Sequence, residues 1–127
     1  MQEQYLFEYA VIRVVPRVER EEFINIGVII YCPKQQFLKV RFMLDEVRIS
    51  AFARGLDIDC IKDNISSFER ICHGDKQAGP IAKLDMASRF RWLTATRSTV
   101  VQSSKVHPGL CLDADETLTK LFEQLVG

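Results

Sequence analysis

The sequence predicts an α+β domain, an antiparallel sheet of about four strands with helices packed against it, and three observations predict it. Two apolar runs of strand character open the chain and a strictly alternating third follows them at once. The apolar spacing then changes to three- and four-residue steps, the period of a helix. A late β-branched run, Ser98 to Val106, precedes one last amphipathic helical stretch. With 127 residues, 47% hydrophobic and 27% charged, the chain has the size and composition of a single domain, residues 1–127, that buries one core.

Residues 4–15 alternate with period two, placing Phe7, Tyr9, Val11, Arg13 and Val15 on one face and Leu6, Ala10, Ile12 and Val14 on the other. Both faces are largely apolar, which predicts a central strand covered on each side, ended by Pro16 because proline cannot donate to a ladder. Residues 25–32 form a second strand, with Ile26, Val28, Ile30 and Cys32 on one face and Asn25, Gly27, Ile29 and Tyr31 on the other. In the third, Phe37 to Leu44, the residues Leu38, Val40, Phe42 and Leu44 alternate with Lys39 and Arg41, so one face is wet. The short turn CPKQQ makes strands two and three an antiparallel hairpin. The connector PRVEREEFI is longer and highly charged, and loops of that kind often carry function.

Asp45 caps a short helix that runs to about Arg54 and closes at Gly55. Ile58, Ile61, Ile65, Phe68 and Cys72 form the apolar stripe of a second helix ending near His73 and Gly74, placed to cover the sheet. A polar linker, HGDKQAGP, leads to a third helical segment over roughly Leu84 to Ala95, with Phe90 and Leu93 in its core stripe and arginines on a solvated rim. The fourth strand ends in the turn HPGL. Asp113 and Glu116 resemble a capping box ahead of Leu118, Leu121, Phe122 and Leu125.

Seventeen basic and seventeen acidic residues cancel, so no global field steers the chain to nucleic acid or an anionic membrane. No apolar segment approaches the roughly 20 residues of a membrane helix, and the start MQEQYLFEYA lacks the pattern of a secretory signal, which together predict a soluble, cytoplasmic protein. The cysteines, Cys32, Cys60, Cys72 and Cys111, form no C-x-x-C pair and sit in apolar patterns, as buried reduced thiols do. His73 and His107 match no common ligand spacing, so no metal is expected, and Gly74 and Gly79 fit no phosphate-loop or dinucleotide spacing, so no cofactor is expected.

Three segments hold polar groups that folding does not require. The first joins Arg13, the connector acids Glu19, Glu21 and Glu22, and Asn25: a guanidinium held by a carboxylate can still present donors to an anion, although a structural salt bridge uses the same residues. Gly27, on the face assigned to Asn25, leaves room for a ligand or another backbone, or marks a bulge. The second runs from Arg97 to Leu110 and carries Ser98, Gln102, Ser104, Lys105 and His107. A serine or thiolate nucleophile there would still lack an orienting group and oxyanion donors. The third, RFRWLTATR, sets Arg89, Arg91 and Arg97 around Phe90 and Trp92, a composition that suits a phosphate and a stacked base.

The blocks YAVIRVVPRVEREEFINIGVIIYCP and RFRWLTATRSTVVQSSKVHPGLCLD resemble the small bacterial domain of unknown function numbered 3037, over nearly the whole chain. The resemblance implies one bacterial α+β domain. It also implies a genetic neighbourhood that often includes a kinase-like protein similar to persistence toxins, and hence a partner role. The matching positions are Arg13, Pro16, Arg17, Glu22, Asn25 and Gly27 in the first block and Arg97, Ser98, Gln102, His107 and Gly109 in the second. The family transfers no catalytic assignment.

Many polar groups without a complete catalytic set point first to a non-enzymatic interaction or regulatory module that docks through the charged connector and the strand-four region. The alternative is a small enzyme or ligand-binding protein for an anionic substrate, with Arg13 and Arg97 clamping the anion and His107 as general acid or base. That alternative requires Arg13, Asn25, Gln102 and His107 to converge in one cleft. A nucleic-acid module is the third reading, and the neutral charge balance weighs against it.

Overall fold

A computed structural model describes residues 3–16, 22–52, 55–97 and 99–126. Among them the chain forms strands β1 (Tyr5–Val14), β2 (Ile24–Cys32) and β3 (Phe37–Phe42), then helices α1 (Glu46–Phe52), α2 (Ile58–His73) and α3 (Met86–Leu93), then β4 (Val101–Ser103), β5 (His107–Cys111) and α4 (Ala114–Leu125). All pairings are antiparallel, and the order β3-β2-β1-β4 leaves β5 as a second neighbour of β1. The α+β class with an antiparallel sheet is therefore as predicted, with five strands where about four were expected.

The fifth strand arises where the sequence reading placed a turn, and the expected long fourth strand shrinks to three residues. Ser104 is the physical reason. Its N–H donates to the Val11 carbonyl at 2.8 Å while its hydroxyl accepts the Val11 N–H at 2.9 Å. A side-chain oxygen thus replaces a ladder carbonyl, which lets the chain step off the sheet edge and rejoin it at His107. Pro108 is compatible with an edge strand, because its missing N–H need only face outward.

β1 is the central strand, and each face of the sheet has its own cover. On one face Ala10, Ile12, Val14, Ile24, Ile26 and Ile29 pack with Ile49 of α1, Ile61, Ile65 and Ile71 of α2, and Phe90 and Leu93 of α3. On the other, Phe7, Val28, Ile30 and Cys32 pack with Cys111 and with Ala114 and Leu118 of α4. The doubly apolar pattern of β1 and β2 follows from this two-sided burial.

All four helices begin on an aspartate. The carboxylates of Asp45, Asp57, Asp85 and Asp113 accept the N–H groups of Arg48, Cys60, Ser88 and Asp115 at 3.0, 3.1, 2.7 and 2.9 Å. Each satisfies a donor with no partner inside its helix. Asp57→Ala is expected to destabilise the domain by about 1 kcal/mol, measurable as a lower urea midpoint with unchanged slope. α4 is further located by Gln35 in the β2–β3 turn, which accepts the Ala114 N–H at 2.9 Å and donates to the Leu112 carbonyl at 2.8 Å.

Two local expectations are corrected. Cys60 is exposed rather than buried, whereas Cys32, Cys72 and Cys111 are buried, and burial pushes the Cys72 thiol up to about 12. Arg89 does not lie on the rim of α3. It is 8% exposed, and its guanidinium presses on Gly74, whose left-handed backbone (φ 73°) closes α2. The negative end of the α2 dipole favours a cation there.

Candidate interaction site

β1 and β2 pair regularly from Glu8 opposite Tyr31 to Ile12 opposite Gly27, and the next pair is Arg13 with Asn25. Ile26 is therefore an extra residue, a β-bulge that turns its own side chain into the α1–α3 core beside Ile24 and Ile29. The bulge overturns the expected faces of the second strand. Asn25 is directed toward α4, where its Nδ2 donates to the Leu125 carbonyl at 3.1 Å. Gly27 does not share its face. A Cβ at Gly27 would stand 2.5 Å from the Phe42 ring, so the space above this glycine is filled by an aromatic side chain and receives no ligand.

Arg13 faces Asn25 across one side of β1 and Gln102 across the other, because β4 pairs Arg13 with Gln102. Directly opposed residues project to the same side of a sheet, so Asn25, Arg13 and Gln102 form one polar row on the α4 face. Arg13 lies with its guanidinium carbon 4.0 Å from the centre of the Phe23 ring, and Phe23 is 46% exposed. Gln102 donates its amide to the Thr99 carbonyl at 2.8 Å. Two atoms of the row, Arg13 Nε and Asn25 Oδ1, are buried with no hydrogen-bond partner among the described residues. Burial lowers the pKa of Arg13 without removing its charge, since a guanidinium stays protonated.

The other candidates fall elsewhere. His107 is opposite Tyr9, with the two rings 5.3 Å apart, and Tyr9 is four residues along β1 from Arg13. That separation is about 13 Å at strand rise, so His107 does not join the row. Arg97 lies by the α1–α3 face, donating Nη2 to the Trp92 carbonyl and stacking 3.9 Å above the Trp92 ring. The cleft that an Arg13–Arg97–His107 enzyme required is absent among the described residues. The third segment is also divided: Arg89 is buried and Arg97 covers one face of Trp92, which removes one cation and a stacking surface from a nucleic-acid platform. Glu22 is exposed at the entry to β2, while Arg17 and Ser98, with Glu19 and Glu21, lie outside the described residues.

Phe23 was not singled out by sequence, although it is a large aromatic at the end of a charged connector, the one signal that marks it. The Leu125 carbonyl has no sequence signature at all. Among the described residues no three His, Cys, Asp or Glu side chains gather as a metal site would need, and no helix is long and apolar enough to cross a membrane.

No curated protein and no solved structure matches the chain. A family model described as Protein of unknown function (DUF3037) matches residues 9–126, which takes in both sequence blocks, the bulge, the polar row and all four helices. The chain belongs to the DUF3037 family.

Proposed function

We propose that this domain is a protein-interaction module that receives a peptide segment of a partner at the Asn25–Arg13–Gln102 row. The observation that carries the reading is the pair of buried, unpartnered atoms on opposed residues, Arg13 Nε and Asn25 Oδ1. One is a donor and the other an acceptor. Both atoms lie beneath the surface, so a peptide group supplies its C=O to Arg13 and its N–H to Asn25 only as the side chains over them move aside, and leaving either atom unmet costs about 1–3 kcal/mol. Phe23 adds exposed apolar surface beside them, and aromatic and arginine side chains are the usual anchors of interfaces. The end of β1, the start of β2 and β4 meet at this same end of the sheet, which supports docking there. The kinase-like neighbour implied by the family resemblance is the first partner to test.

The experiment is co-purification of the tagged domain with that kinase-like protein, followed by titration calorimetry with Arg13→Met and Phe23→Ser variants. Each variant is expected to weaken binding about tenfold or more while its urea midpoint stays close to that of the parent. Equal affinity of the parent and both variants removes the row from the interface and overturns the reading. No association with the kinase-like protein removes that partner.

A further inference from the structure

On the face of β1 opposite Arg13, the second half of α2, the end of α3 and β4 border a cavity of about 160 Å³. Its floor is apolar, formed by Ile12, Phe68, Ile71 and Leu93. At its mouth stands Arg97, half-buried, with one of its five N–H groups committed to the Trp92 carbonyl. Burial lowers the pKa of Arg97, and no neighbouring carboxylate offsets it among the described residues. The Trp92 ring beneath the guanidinium holds it in place without neutralising it.

We propose that this cavity binds a small amphipathic monocarboxylate, with its apolar body on the Ile12–Phe68–Ile71–Leu93 floor and its carboxylate on the free donors of Arg97. Each part of the ligand answers a feature of the cavity. An apolar cavity of roughly 150 Å³ accepts a body the size of benzene, which limits the ligand to one ring or a short chain. A planar fork of donors matches a carboxylate in two parallel hydrogen bonds. A single guanidinium balances a single negative charge, so the head is a monoanion rather than a phosphate dianion. The inference does not rest on the peptide reading: Ile12 of the cavity and Arg13 are successive residues of β1 and face opposite sides of the sheet, and the two sites share only β4, where Gln102 also borders the cavity.

Trp92 is the only tryptophan of the chain and lines the cavity, so its fluorescence reports occupancy directly. The test is a fluorescence titration of the intact protein with hexanoate, with hexanol and acetate as controls for head and body. Hexanoate is expected to give a saturable change, with hexanol and acetate each binding at least about tenfold more weakly. Arg97→Gln is expected to weaken hexanoate by about tenfold or more and leave hexanol unaffected. Ser67→Leu fills the mouth from an exposed helical position that the fold tolerates, and is expected to abolish the response with the circular dichroism spectrum unchanged. No saturable response to hexanoate overturns the proposal. So does hexanol or acetate binding as tightly as hexanoate, or full hexanoate binding by a folded Ser67→Leu.

Discussion

Replacing Ile29 with alanine is expected to destabilise the domain by about 2–5 kcal/mol. Ile29 is fully buried at the middle of β2, between β1 and β3, and packs in the cluster beneath α1, α2 and α3. Truncation to alanine removes three carbons from that contact and leaves a void that strands held on both sides cannot close. Domains of this size have about 5–15 kcal/mol of total stability, so the change takes a large share of it. Ile29→Val removes one methylene and is expected to cost about 0.5–1.5 kcal/mol. Urea unfolding of the two variants is the measurement. An alanine variant within about 0.5 kcal/mol of the parent would contradict the two-sided burial of β2.

The second large effect is expected at Gly27, where valine destabilises the domain by about 1–3 kcal/mol or more. The Phe42 ring lies 2.5 Å and the Arg41 carbonyl 2.9 Å from where a Cβ would sit. The ring is held on one side by Phe68, whose ring meets it edge-on at 5.5 Å, and the carbonyl belongs to the β3 backbone, which is paired with β2. A β-branched residue ordinarily favours a strand, so propensity alone predicts the opposite sign. A double variant, Gly27→Val with Phe42→Ala, is expected to recover part of the loss, since the two residues compete for one volume. If Gly27→Val is as stable as the parent, the Phe42 ring does not occupy this space and the glycine is again open to a ligand.

Much of this architecture is legible in the residues. Period-two alternation located β1, β2 and β3, the aspartates at 45 and 113 located the starts of α1 and α4, and the apolar stripe from Ile58 to Cys72 located α2, because these signals act within a few residues. The start of α3 is less legible. Leu84 extends the apolar step, yet it is 44% exposed and Asp85 begins the helix. The candidate site was legible as a set of polar positions and not as a place. Arg13, Asn25 and Gln102 come together, while Arg97 and His107 separate from them, since strand pairing decides which distant residues become neighbours.

Composition and periodicity by themselves determine the α+β class, the two-sided burial of β1, the hairpin of β2 and β3 and the caps of two helices. These depend on local backbone preference and on the requirement that apolar faces be buried. Tertiary structure alone decided the extra residue Ile26 in β2, the splice at Ser104 that divides β4 from β5, and the faces taken by Asn25 and Gly27. A one-residue shift in an antiparallel ladder reverses every side chain beyond it, and nothing within a strand records where its partner makes that shift. The ladder sets Asn25 beside Arg13 and closes the space over Gly27, so it also determines which of the polar residues form a site.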